Sequence, residues 1–215
     1  MSDAQARKDV VAAYREVGRR GLIAGSSGNV SHRTRTGMLV TPSGCSAETV
    51  DAGGLVAMTL AGDVKGNQAP SSEWAMHAAI YLAYPQAQCV VHTHADACTA
   101  LACLNEGLPP FHYMVANFGG DDVRCAPYVT FGTPELARLA VAALTGRSAC
   151  LLANHGMIVH APNAAQALNA ACVLETLCRQ YLLARAAGAV RLLTADEMRA
   201  AHERYRSYGQ PAGRG

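Results

Sequence analysis

Residues 89–97 read CVVHTHADA: three small apolar side chains, then His92 and His94 with one residue between them. The apolar opening reads as a buried strand. Side chains alternate faces along a strand, so His92 and His94 point the same way, one above the other. Imidazole is the commonest protein ligand for zinc, and two on one face of a rigid strand supply half of a tetrahedral site. The same spacing also suits an ordinary pair at a strand end, one ring hydrogen-bonded and the other solvated. HxH alone leaves both readings open.

The neighbouring sequence frames this strand with helices. Upstream, PSSEWAMHAAIYLAYP (70–85) opens with proline and two serines, a good N-terminal cap, and its apolar residues recur at helical spacing. Downstream, CTALACLNEG (98–107) reads as a helix and VRCAPYVTFG (123–132) as a strand. TPELARLAVAALTG (133–146) is a helix capped by Thr133 and closed by Gly146, and ACLLANHGMIVHA (149–161) is two strands broken at His155-Gly156. Helices are expected over 4–20, 164–187 and 194–209. Between the first helix and Pro70 lie a glycine-rich turn into a strand (21–33), a hairpin around Gly37, and edge strands around 55–60 and 63–68. Strands interleaved with helices define an α/β chain whose sheet is covered by helices; the strand order does not follow from the pattern.

Composition bounds the rest. Of 215 residues half are hydrophobic and 16% charged, enough for one well-buried core, and no linker, repeat or charge block divides residues 1–215. Eighteen Lys and Arg against 16 Asp and Glu give a net charge of +2, which supplies no electrostatic footprint for nucleic acid or a membrane surface. The amphipathic, charged N-terminus lacks a signal peptide's apolar core, and no apolar run is long enough to span a bilayer, so a cytoplasmic setting is expected. The eight cysteines stand singly in apolar runs and are expected to be reduced and buried.

Two further stretches bear on the histidine pair. LLANHGMIVH (151–160) brings His155 to the end of an apolar strand, before a glycine that permits a sharp turn. Three neutral imidazoles leave one zinc position open, as catalytic sites do. His160 follows the next strand and reads as surface. His77 lies one helical turn after Glu73, either as a further ligand or packed against the sheet. Glu73 at the helix start is either a favourable first-turn charge or a carboxylate that acts at the metal as ligand or base. Ser71 and Ser72 offer hydroxyls and free amides to an anion. The turns AGSSGNVS (24–31) and TPSG (41–44), carrying Asn29 and Ser43, add amides to the same cradle.

Taken together, SSEWAMHAAIY (71–81), VVHTHADACTALA (90–102), FHYMVANFGG (111–120), CAPYVTFGT (125–133) and NHGMIV (154–159) resemble, in order and separation, the class II aldolase/adducin family. The resemblance runs from GSSGNVS (25–31) to RYRSYG (204–209). It implies a single-domain three-layer α/β/α fold with a mixed, largely antiparallel central sheet, and a homotetramer with active sites at subunit boundaries. It implies Zn2+, with Mn2+ or Co2+ as substitutes, on His92, His94 and His155, with Glu73 at the metal as acid/base. Substrate phosphate would lie against Ser26, Gly28, Asn29, Ser43, Gly44, Ser71 and Ser72; Ser26 and Ser43 stand where the family pattern usually shows threonine. Tyr113 would reach a neighbouring subunit's site as a proton donor, and a C-terminal tyrosine, Tyr208 or Tyr205, would close over the substrate.

The activity so implied is cleavage of L-fuculose 1-phosphate or a related ketose 1-phosphate to dihydroxyacetone phosphate and an aldehyde such as L-lactaldehyde. Lys8 and Lys65 are the chain's two lysines, neither in an apolar stretch, which favours a metal over a Schiff base. The alternatives keep the site but change the reaction: pentulose-phosphate epimerisation, methylthioribulose-phosphate dehydration or sugar-acid-phosphate decarboxylation. A third class is a non-catalytic adducin-like scaffold.

Overall fold

The computed structural model describes residues 2–207. Helix α1 (Asp3–Arg19) precedes a meander of β1 (Asn29–Thr34), β2 (Gly37–Val40), β3 (Val56–Met58) and β4 (Val64–Lys65). Then follow α2 (Trp74–Ala83), β5 (Cys89–Thr93), α3 (Asp96–Cys103), a 3-10 turn (Tyr113–Phe118), β6 (Cys125–Ala126) and α4 (Pro134–Ala143). The hairpin of β7 (Ala149–Leu152) and β8 (Gly156–Ala161) leads into α5 (Ala164–Ala187) and α6 (Ala195–Ser207). One eight-stranded sheet runs β4-β3-β2-β1-β5-β8-β7-β6, antiparallel throughout except for the β6–β7 pair.

The alternation of side chains builds two cores. Cys89 and Val91 of β5, with Leu151 and Val159, pack against α1, α3 and α5. Val90, Cys150, Leu152 and Ile158 face the other way, onto α2 and α4. Both faces of the central strands are covered, which is why β5, β7 and β8 read as near-continuous apolar runs and are buried along their whole length. Each fully buried Val or Leu adds roughly 1.5–3 kcal/mol. Three layers and a mixed sheet are what the family resemblance implied.

Three local expectations change. The strand expected over 123–132 shrinks to Cys125–Ala126, because Pro127 has no N–H to give a ladder and the chain leaves the sheet there. Helix α2 is not capped by a serine hydroxyl. Glu73 holds the cap position without a side-chain cap bond, while Ser71 Oγ accepts from the Glu73 amide at 3.3 Å. Of the cysteines, Cys89, Cys98, Cys150 and Cys178 are buried, but Cys103 is exposed and the others half-buried; all eight are free thiols. Thr133 does cap α4, accepting from the Leu136 amide. No helix among the described residues is long and apolar enough to cross a membrane.

Candidate metal centre and substrate cavity

His92 is held by the sheet itself. It sits opposite Asn29 of β1 and Ile158 of β8, fully buried. Its Nδ1 lies 2.8 Å from the Met157 carbonyl, which can only accept, so Nδ1 carries the proton and Nε2 keeps its lone pair. His94 lies just beyond the strand, where the sheet ladder no longer fixes it. There the start of α3 takes over: the Ala97 and Cys98 amides donate to the buried Glu175 carboxylate of α5 at 3.0 and 2.9 Å. His155 comes from the β7–β8 turn. Asn154 turns the chain with φ 54°, and at Gly156 a Cβ would stand 2.3 Å from the Thr93 carbonyl, so only glycine lets β8 approach the histidine strand.

The three rings face one another at nearly equal spacing, with centroids 4.8–4.9 Å apart and planes 72–78° to each other. Glu73 completes the set from the start of α2, and the four ligand atoms lie within 4.8 Å of one another. Glu73 Oε2 is 2.7 Å from His92 Nε2, and Oε1 is 3.5 Å from His155 Nε2 without a hydrogen bond, a buried acceptor lacking a donor. A carboxylate oxygen and an imidazole lone pair at that distance repel unless a cation lies beside them. Burial raises the Glu73 carboxyl; positive charge on the cluster side, at His92 and His155, lowers it further, and the net holds it well below the usual range, as a cation bound among neutral rings would also do. His94 is pushed down to about 4 by burial and then by its two neighbouring rings, so it stands neutral and able to ligate at pH 7. Orphaned Oε1, converging Nε2 atoms and a carbonyl that sets the His92 tautomer all fit a divalent metal with three nitrogen ligands and one oxygen.

A cavity of about 310 Å³ opens onto this cluster. Ser26, Gly28, Asn29, Ser43, Gly44, Ser71 and Ser72 all line it, together with Glu73, His94 and His155. Gly28 has φ +85°, and a Cβ there would lie 2.8 Å from the His92 carbonyl, so the turn rests directly on the metal strand. Tyr128, Phe131 and Asn154, unremarked in the sequence reading, also line the cavity. The available signal was Pro127 and Gly132, two breakers that bound a loop where a strand was expected.

Other expected residues lie elsewhere. His77 turns away from the cluster to Asn29 and Ser31, which sets aside its reading as a ligand. His160 is not on the surface: at 7% exposure it stacks on Tyr84, because β8 continues under cover to its end. Tyr113 is half-exposed at the start of the 3-10 turn, stacked on His112 and Tyr205. With Tyr205 it lines a different, larger cavity of about 860 Å³ beside His160. Tyr208 falls outside the described residues.

Comparison with known proteins identifies the family. The Class II Aldolase and Adducin N-terminal domain matches residues 8–182. The chain is 43% identical to a 5-methylthioribulose-1-phosphate/5-deoxyribulose-1-phosphate aldolase of Rhodospirillum rubrum, over 96% of this chain and 93% of that one. It is 39% identical to the L-fuculose phosphate aldolase of Escherichia coli K12, over 94% of each. A solved L-fuculose 1-phosphate aldolase superposes with a TM-score of 0.91 at 36% identity, covering 96% of this chain and 98% of that one. The chain belongs to the class II aldolase and adducin family, and within it to the aldolases, which are lyases. The scaffold reading falls away.

Proposed function

We propose that the protein cleaves a ketose 1-phosphate to dihydroxyacetone phosphate and an aldehyde, with Zn2+ held by His92, His94, His155 and Glu73. The observation that carries this reading is that the metal cluster and the serine- and glycine-bearing turns share one cavity. A bound cation there supplies Lewis-acid polarisation of a carbonyl and positive charge against the electrons released by bond cleavage.

The chain supplies the rest. Amides and hydroxyls at Ser26, Gly28, Ser43, Gly44, Ser71 and Ser72, with the Asn29 amide, hold the phosphate dianion next to the start of α2. Glu73, kept ionised, takes a proton from the dihydroxyacetone phosphate carbon in the condensation direction and returns it in cleavage. Tyr113 gives or takes the proton at the aldehyde oxygen. Within its own chain Tyr113 lines the other cavity, so this role belongs to a neighbouring subunit of a homotetramer, with Tyr208 or Tyr205 closing over the substrate.

The two relatives' names favour a sugar whose far end lacks a hydroxyl: fuculose, 5-deoxyribulose or methylthioribulose 1-phosphate. Tyr128 and Phe131, both more than half exposed at the cavity, offer apolar surface to such an end. The 43% relative brings methylthioribulose phosphate in as a substrate for aldol cleavage, where the sequence reading had only its dehydration. The test is dihydroxyacetone phosphate release from these three sugars by zinc-loaded and chelator-treated protein, with Tyr113→Phe alongside. Metal-dependent release, reduced roughly 10²–10⁴-fold in Tyr113→Phe at unchanged zinc content, is expected. Zinc bound but no release from any of them would point to epimerisation, dehydration or decarboxylation.

A further inference from the structure

Behind the cavity wall, on the α2 face of the sheet, runs a buried chain of polar side chains. Asn29 and Ser31 alternate with Val30 along β1, so both face α2. His77 of α2 reaches between them: its Nδ1 lies 2.7 Å from Ser31 Oγ and its Nε2 meets Asn29 Oδ1. Ser31 Oγ is also 2.7 Å from the Tyr81 hydroxyl, one turn further along α2, and the Arg33 guanidinium lies over the Tyr81 ring at 4.9 Å. Ser31 and His77 are fully buried and Tyr81 is 1% exposed, so each proton needs an acceptor within the protein.

Proton accounting gives this chain one direction. Among the described contacts, Ser31 Oγ is the side-chain acceptor open to the Tyr81 hydroxyl. Tyr81 therefore donates to Ser31. Ser31 then has its own proton for His77 Nδ1, which must accept, and a neutral His77 carries its hydrogen on Nε2. Nε2–H donates to Asn29 Oδ1, which orients the amide so that Nδ2 is left for the cavity Asn29 lines. The reverse order would leave the Tyr81 proton buried without an acceptor, and would turn the carbonyl of Asn29 toward the cavity, against an anion.

We propose that Tyr81, Ser31 and His77 are positioning residues that set the His77 tautomer and thereby hold the Asn29 amide as a hydrogen-bond donor to the substrate's phosphate. The inference rests on the phosphate assignment above and extends it from the residues that would touch the anion to three that do not. Because the relay acts on binding of the phosphoryl group, its loss should appear in KM and leave kcat and metal content in place.

The experiment uses Ser31→Ala, Tyr81→Phe, Asn29→Ala and His77→Gln, each zinc-loaded. The readouts are the inhibition constant of inorganic phosphate, KM and kcat for the ketose 1-phosphate, bound zinc, and the 15N resonances of His77. Wild type should show the Nε2–H tautomer. Ser31→Ala and Tyr81→Phe should disturb that signature and weaken inorganic phosphate and KM by about tenfold, the value of one good hydrogen bond, at unchanged zinc. His77→Gln, whose amide can accept from Ser31 and donate to Asn29, should retain more affinity than either. An Nδ1–H tautomer in wild type would overturn the relay, as would unchanged phosphate affinity in Ser31→Ala and Tyr81→Phe when Asn29→Ala loses it. If Asn29→Ala also binds phosphate normally, the phosphate assignment itself has failed, and the relay with it.

Discussion

The two ends of β8 each carry a histidine beside a cavity, and only one end is built as a metal site. At the first end His155 meets His92, His94 and an unsatisfied Glu73 oxygen around the smaller cavity. At the other, His160 stacks on Tyr84 at 4.6 Å, its Nε2 lies 3.3 Å from the Arg147 carbonyl, and the cavity beside it is nearly three times larger and mostly apolar. Same strand, same residue type, opposite outcome. What separates them is the partner presented by other elements: lone pairs converge on His155, whereas His160 meets a ring and a backbone carbonyl that already satisfy it. Cavity size says less about chemistry than the polar groups left unpaired at its edge.

The sharpest way to break this contrast is to remove a ligand. His155→Ala or His92→Ala, or exhaustive chelation, should strip the metal and lower aldol cleavage by roughly a thousandfold or more, read by metal analysis and dihydroxyacetone phosphate release together. Full activity in metal-free protein would sink the site.

Next in size, Glu73→Gln should keep metal on the three imidazoles while turnover falls about 10²–10⁴-fold. A matching fall in metal content would mean that the lost turnover reflects lost metal and not a lost base, a distinction that single-turnover assays at saturating zinc would resolve.

A third effect concerns stability. Burial, and then the nearby His92, push His77 down to about 3, against 6.5 for a free imidazole, with Glu73 opposing. Between those values the unfolded chain takes up a proton that the folded one refuses. Stability therefore falls as pH drops from 6.5 toward 3, by up to about 1.4 kcal/mol per pH unit from this group. Urea midpoints measured against pH should be flatter in His77→Gln than in wild type; parallel curves would deny His77 this share.

The smallest effect belongs to the other end of β8. His160→Ala should leave metal content and turnover at wild-type values and cost on the order of 1 kcal/mol from the lost stacking and hydrogen bond. Loss of metal in this variant would erase the contrast between the two ends.

Much of the site was legible because its elements are periodic. His92 and His94 are spaced by the two-residue repeat of a strand, His155 precedes a glycine in a hairpin, and α5 runs over the expected residues 164–187. The loop at 127–132 was not legible as such: its β-branched and aromatic residues look like a strand until Pro127 is weighed. Nor was burial of His160, since a histidine after an apolar run looks the same whether or not a helix covers it.

Local order along the chain was enough to mark the strands, helices and glycine turns, and to place the three histidines at strand ends, because backbone periodicity and turn chemistry act over a few residues. Which of those ends meet could not be read that way. Asn29 stands opposite His92, Glu73 reaches two of the rings, and His77 turns its back on the metal to grip Asn29, through pairings that join residues well separated in the chain. Such contacts arise from sheet order and from the packing of α2 on one face, and those are settled when distant apolar surfaces are buried together.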